Sequence, residues 1–345
     1  MKALVLEQYN RFVYKDVPDP EPGSREVLVQ VKACGICGSD IHGMDGSTGR
    51  RIPPALMGHE ASGVVVRTGD GNSDWKAGDR VTFDSTISCG QCFYCRQGLI
   101  NLCDNRRVMG VSCADYRQDG AFADFVVLPE SILYRLPQNL DYDKAVMVEP
   151  LSVAFHAVNR VPLAINDSAV VVGAGMVGLL VIQALRLAGC GLVMAVDIDQ
   201  ARLDLACKLG ADVGLRSDQA DIPAEIARLT SGRGADVGFE VVGLGQTVKT
   251  ALTSLRKGGS LGLIGNLSPA IDFPLQLAVT RQITLYSSCA SAGEYPACLD
   301  MLARGSVDVS PLISAVAPLS EGDAWFHRLY AREAGLMKVI LAPDE

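Results

Sequence analysis

Residues 168–197 read SAVVVGAGMVGLLVIQALRLAGCGLVMAVD, and this stretch decides the fold. Ala169–Val172 is an apolar run of strand length. Gly173-Ala-Gly175-Met-Val177-Gly178 is a glycine-rich turn, Val177–Ala188 has helical spacing, and Leu192–Asp197 is a second apolar strand. A G-x-G-x-x-G turn joining a strand to a helix has a physical reading: the first glycine allows the tight turn, the second lets a pyrophosphate approach the backbone, and the third lets helix and strand pack closely. The helix N-terminus then faces the phosphates with a partial positive charge. Asp197 ends the next strand, where a carboxylate hydrogen-bonds a ribose 2′-hydroxyl and repels a 2′-phosphate, which favours NAD over NADP. A turn in a buried βα unit without ligand is the bland alternative, and strand, helix and carboxylate together outweigh it. The same glycines explain away the uncharged run Ser168–Leu185, which is nearly as long as the roughly 20 apolar residues of a membrane span.

Downstream the alternation continues: Gln200–Leu209 and Val248–Leu255 read as helices, Val237–Val241 and Ser260–Ile264 as apolar strands. Such alternation predicts a parallel sheet covered on both faces. Upstream the texture differs. Ala3–Leu6, Val27–Val31, Ser62–Val66 and Arg80–Phe83 are short β-branched runs separated by turns at Pro18–Gly23, Gly69–Asp74 and Gly78–Asp79, which predicts an irregular β-barrel whose loops can carry a site. A length of 345 residues suits about two domains.

With 48% hydrophobic and 20% charged residues the chain has material for a core, so disorder is excluded as its main state. Its 31 basic residues against 39 acidic ones give a net charge of -8, which argues against nucleic acid as a partner. The opening MKALVLEQYN reaches polar and acidic residues too soon for a secretory signal, and no membrane partner is expected. The expected location is the cytoplasm. There the 11 cysteines stay reduced, and clustered thiols bind metal more often than they pair.

Cys89, Cys92, Cys95 and Cys103 are spaced C-x2-C-x2-C-x7-C. Four thiolates with no open position make a structural zinc site that holds a lobe with little core of its own. An iron–sulfur cluster also uses C-x2-C-x2-C, but its usual run closes after three residues and a proline, whereas here the gap is seven and Asp104 follows. A third group is dispersed: Gly35-Ile-Cys37-Gly-Ser39-Asp40-Ile-His42, then Gly58-His59-Glu60, then Glu149-Pro150. Singly, Cys37 and His59 read as core residues and the glutamates as surface ones. Together, a thiolate, an imidazole and a carboxylate form an open ligand set suited to a catalytic zinc.

These motifs, in this order, resemble the zinc-dependent medium-chain dehydrogenase family over essentially the whole chain. The resemblance implies an α/β protein with an N-terminal GroES-like β-barrel catalytic domain (residues 1–151, its structural zinc lobe at about 88–104). It implies a doubly wound Rossmann sheet binding NAD (152–284) and a C-terminal segment (285–345) completing the first domain. Glu149, where liver alcohol dehydrogenases have cysteine, looks like the polyol branch with its sorbitol, butanediol, threonine and galactitol-phosphate dehydrogenases. By that likeness Cys37, His59 and Glu60 hold the catalytic zinc, and Glu149 lies beside its water, contacts substrate or is itself a ligand. A zinc ion with the Cys37 thiolate and one carboxylate is neutral, and a second carboxylate weakens its pull on a substrate oxygen, so one glutamate is expected to stand back or exchange.

The likeness further implies two zinc ions per chain and a homodimer or homotetramer built on an edge of the nucleotide-binding sheet. The implied reaction is hydride transfer from a secondary alcohol of a polyol, vicinal diol or sugar-derived substrate to the nicotinamide, giving a ketone. The alternatives are another alcohol class or an NAD-binding zinc protein without alcohol chemistry. Ser39 and His42 would relay the released proton by way of the cofactor ribose, with Asp40 orienting a ligand. Gly173, Gly175, Val177, Gly178 and Asp197 would hold the dinucleotide, and Arg202 would brace its adenosine ribose. Two departures, Gly43 for an aromatic residue and no arginine in Leu285–Ala290, speak against sorbitol itself. Arg50, Arg51, Arg106 and Arg107 are the candidates for a substrate phosphate. His156 and His327 read as structural, and the remaining cysteines as small buried residues.

Overall fold

A computed structural model describes every residue except Asn72 and Glu345. The chain divides into two compact units, Met1–Glu149 with Tyr295–Glu345, and Pro150–Glu294. The second unit is a six-stranded sheet, every neighbouring pair parallel. In space its order is Val213–Arg216, Leu192–Asp197, Ser168–Val172, Ala235–Glu240, Leu255–Leu263 and Thr284–Ser287. This is the third-second-first-fourth-fifth-sixth order of a Rossmann fold, and the reversal between Ser168–Val172 and Ala235–Glu240 is where such sheets bind ligands. Both of those central strands are buried along their whole length, which is why they read as unbroken apolar runs. The helix Met176–Leu187 buries Gly178 through Leu185 in the same unit, so its apolar character belongs to a packed core. No helix among the described residues is long and apolar enough to cross a membrane.

In the first unit the strands Leu133–Arg135, Arg80–Phe83, Glu60–Thr68, Glu26–Gly35, Lys338–Ala342 and Ile313–Pro318 follow one another in a sheet, and Phe125–Pro129 also pairs with Glu26–Gly35. A smaller sheet joins Lys2–Gln8 with Arg11–Asp16 and Ala55–Leu56. The four expected strand runs all lie inside these elements. Of the expected turns, Gly69–Asp74 includes Asn72, which lies outside the described residues. The C-terminal strand Lys338–Ala342 pairs antiparallel with Glu26–Gly35, Ile340 opposite Gly35 and Leu341 opposite Cys34. Leu4, Val29, Phe122, Val126, Phe326 and Leu341 meet in the shared core.

The division between the units falls at Glu294/Tyr295, where the reading of the sequence put 284/285. Leu285–Ser287 pair in parallel with Leu261–Leu263 as the edge strand of the second unit. That strand is mostly exposed and lacks the buried pattern that marks its neighbours as sheet.

Candidate active site

In the second unit the three glycines of the turn differ in what surrounds them. Gly173 has φ +104°, and a Cβ there would lie 2.6 Å from Val242 Cγ2. At Gly178 a Cβ would stand 1.9 Å from the Gly173 carbonyl oxygen, so only glycine lets the helix sit down on the turn. Around Gly175 a Cβ meets nothing within 4 Å. That open side lies at the N-cap of Met176–Leu187, which no side chain caps. Uncapped amide groups beside open backbone fit a pyrophosphate. Asp197 is fixed by backbone donors: the Ala174 amide donates to Oδ2 (2.7 Å), and those of Ile198 and Asp199 to Oδ1 (2.8 and 3.0 Å). Arg202 Nη1 is 4.0 Å from Asp197 Oδ2 and its Nε 3.9 Å from Asp199.

The thiol lobe in the first unit consists of one short helix, Phe93–Arg96, and one 3-10 turn, Ile100–Leu102. Cys89, Cys92, Cys95 and Cys103 place their sulfurs within 4.8 Å of one another, while Phe93, Tyr94, Leu99 and Leu102 are exposed. Amide groups point at the sulfurs: Cys89 N and Asn105 N donate to Cys103 Sγ (3.3 and 3.4 Å), and Cys95 N to Cys92 Sγ (3.5 Å). The amides of Gln91 and Cys92 draw the Cys89 thiol down to about 6, whereas desolvation and the neighbouring sulfurs push Cys95 up to about 11. A sulfur array with donors turned inward suits a cation that takes thiolates.

Elsewhere in the first unit, Cys37, His59 and Glu60 bring one donor atom each within 4.8 Å of the others. Pairing of the strands does this: Gly35 stands opposite Glu60, so the turn after Gly35 and the start of Glu60–Thr68 meet. His59 and Glu60 are buried, and Glu60 Oε1 has no hydrogen-bond partner among the described residues. A buried carboxylate oxygen left bare is costly unless something binds it, so this donor set fits a divalent metal. Glu149, on the helix Val148–Arg160, is outside the three-residue group. Burial first, and then the charge of Glu60, push its carboxyl up to about 7.

Asp40 is buried and touches two of the three donors. Its Oδ2 accepts from the Cys37 amide (3.3 Å), and its Oδ1 lies 3.4 Å from His59 Nδ1, a charge contact rather than an aligned hydrogen bond. Burial alone would raise the Asp40 carboxyl; the His59 ring and the Arg51 guanidinium overturn that and hold it well below the usual carboxylate range. Arg51 is the residue the sequence misassigned: it is buried with Nη2 2.8 Å from Asp40 Oδ1, not free for a substrate phosphate. Its side chain also accounts for Gly43, where a Cβ would be 2.4 Å from Arg51 Cγ and an aromatic ring has no room. Arg106 is likewise engaged, donating to the Asn101 carbonyl (2.8 Å).

Ser39 donates from its amide and its hydroxyl to Cys37 Sγ (3.4 Å each), and His42 is exposed at the end of the same short helix, Gly38–Ile41. His156 forms a contact with Glu294 (2.8 Å), and His327 lies 3.8 Å from Asp323. Cys207 and Cys289 are exposed, against the expectation of small buried residues, while Cys34, Cys190 and Cys298 are buried. Lys338, which no motif marks, is buried against Glu60.

Known proteins similar to this chain show its family. The family "Alcohol dehydrogenase GroES-like domain" matches residues 23–138 and "Zinc-binding dehydrogenase" matches residues 176–304. Over 349 residues the chain is 34% identical to a sorbitol dehydrogenase of Halalkalibacterium halodurans, covering 99% of each. It is 34% identical over 351 residues to D-xylulose reductase A of Aspergillus oryzae, covering 99% of this chain and 97% of that one. Among solved structures, alcohol dehydrogenase TADH from Thermus sp. ATN1 superposes with a TM-score of 0.92 at 31% identity, covering 100% of both chains. The chain belongs to the zinc-dependent medium-chain alcohol dehydrogenase family, in its polyol branch.

Proposed function

We propose that this dehydrogenase oxidises a secondary alcohol of a polyol, vicinal diol or sugar-derived substrate to a ketone, with NAD as the acceptor. The observation that carries the reading is the Cys37–His59–Glu60 set, its His59 and Glu60 buried and one carboxylate oxygen bare, in a chain that also carries an uncapped glycine turn and Asp197 at the end of the next strand. Zinc on Cys37, His59 and Glu60 supplies Lewis acidity that lowers the pKa of a substrate hydroxyl. Asp40 holds the His59 ring and the Cys37 backbone in place, and Arg51 keeps Asp40 ionised. Glu149, whose carboxyl burial raises to about 7, would contact substrate or stand in for Glu60 as a metal ligand. Ser39 would take the substrate proton as its own hydroxyl proton passes through the cofactor ribose to exposed His42, which delivers it to solvent. The second zinc, on Cys89, Cys92, Cys95 and Cys103, is structural.

The test is NADH formation by the purified, zinc-loaded protein across polyols, vicinal diols, sugar phosphates, threonine and simple alcohols. Turnover confined to one polyol or diol class supports the proposal, and silence on the whole panel with two zinc ions bound refutes it. In the same assay Ser39→Ala slows turnover about 100-fold if the hydroxyl moves the proton; an unchanged rate removes the relay.

Cofactor choice rests on Asp197, with Gly173, Gly175, Val177 and Gly178 at the phosphates and Arg202 at the ribose. Asp197→Asn takes away the charge and keeps the size, but its amide nitrogen cannot accept, so the amide bonds on one of the two oxygens are lost with it. The expected result is a rise of about 10–100-fold in the NADP:NAD ratio of kcat/KM, the worth of one charged hydrogen bond. An unmoved ratio shows that selection lies elsewhere.

The exposed edge strand Thr284–Ser287, with exposed Leu275 and Val279 on the neighbouring helix Leu275–Thr280, supplies a face on which a second copy completes a dimer or tetramer. Sedimentation as a monomer would overturn this. A cytoplasmic location suits a chain with 11 cysteines, four of them grouped in one lobe.

A further inference from the structure

Lys338 and Arg51 are the only lysine and arginine buried among the described residues. Arg51 is committed to Asp40, but Lys338 lies against the metal donors. Its Nζ donates to Glu60 Oε2 at 2.5 Å and to the Ile36 carbonyl at 3.1 Å. Burying a lysine is costly unless it is paired, and the fold makes a specific place for this pair. Lys338 opens the C-terminal strand, Glu60 opens its own, and Gly35 on the strand between them has no side chain. A Cβ at Gly35 would lie 2.6 Å from Glu60 Oε2 and 3.5 Å from Lys338 Cδ. Glu60 is therefore two-sided: Oε2 is tied to an ammonium, and Oε1 is buried and bare.

We propose that Lys338 is a positioning residue of the metal site: it restrains Glu60 and offsets its charge, so that the carboxylate cannot close fully on the metal. The inference rests on the reading of Cys37, His59 and Glu60 as metal ligands. It addresses the surplus charge noted above, since Glu60 and Glu149 together would overneutralise a zinc ion already bound to a thiolate. A cation on the far oxygen of Glu60 weakens its donation and leaves the ion a strong Lewis acid with a position open for substrate.

The experiment compares wild type, Lys338→Met and Lys338→Arg for zinc content, for the rate at which EDTA removes the more labile zinc, and for the visible spectrum after Co²⁺ replaces it. With the restraint gone, Lys338→Met is expected to release that zinc about tenfold more slowly. Its Co²⁺ spectrum should shift toward higher coordination, while Lys338→Arg stays near wild type. Release from Lys338→Met at the wild-type rate or faster overturns the proposal, because a merely structural ion pair would leave the metal equally or less well held. NADH binding and retention of the four-thiolate zinc report whether the variant folds. If Lys338→Met fails that check, Glu60→Gln/Lys338→Met carries the test against Glu60→Gln alone, as replacing both partners of a buried pair is often tolerated. Equal release from those two supports action through Glu60, and a difference overturns it. A wild type that binds only one zinc overturns the metal reading itself, whereas two zinc ions with an indifferent Lys338→Met overturn only the role of Lys338.

Discussion

Replacing Cys37 by alanine is expected to abolish dehydrogenase turnover while the chain still folds and binds NADH. The thiol is half-buried, accepts two bonds from Ser39 and lies in the three-donor set with His59 and Glu60. Without it a divalent ion is left with an imidazole and a restrained carboxylate, too few donors to hold zinc against solvent. Polarising the hydroxyl is worth several kcal/mol of the barrier, and each 1.36 kcal/mol is tenfold in rate, so kcat/KM falls by about 1000-fold or more. Zinc content should drop from two per chain to one. The glycine turn and Asp197 belong to the other compact unit, so NADH affinity serves as the control. A variant that keeps both zinc ions, or loses less than about tenfold in rate, would remove Cys37 from the site.

The second large effect is expected at Cys92. In Cys92→Ser the four-sulfur site loses a ligand on which the Phe93–Arg96 helix is also capped, for the Cys95 amide donates to its sulfur. Nothing else in the lobe replaces it: Phe93, Tyr94, Leu99 and Leu102 are exposed, so almost no apolar area resists opening. A structural zinc is worth on the order of 10 kcal/mol to a segment that folds around it. Only part of that reaches global stability, because the sheets of the same unit stand on their own core. The expected outcome is loss of one zinc, rapid proteolysis within residues 93–102, and a Tm lower by on the order of 10 °C. Intact resistance to protease would show that the lobe is held by something other than the metal.

Two of the three chemical constellations are local in sequence, and for that reason they are legible there. The turn Gly173–Gly178 needs only six consecutive residues between a strand and a helix, and the lobe needs four cysteines within one loop; backbone spacing alone brings the parts together. The order of the Rossmann sheet follows from alternation of apolar strands and helices. Its last strand, Thr284–Ser287, is not legible in the residues, because an exposed edge strand carries no buried pattern. The division at Glu294 moves with it.

The candidate metal site is different. Cys37, His59 and Glu60 could be suspected from residue type, yet each had an ordinary reading until strand pairing set Gly35 opposite Glu60. Arg51 reads as a free cation and is buried on Asp40, its side-chain stem lying against Gly43. Lys338 stands 278 residues from Glu60 and belongs to no motif. Fold class, nucleotide turn and thiol lobe can be read from the residues alone, since local spacing and periodicity constrain them. Which charges are buried together follows from tertiary packing, because the pairing of the last strand with the distant strand Glu26–Gly35 depends on contacts across the whole unit.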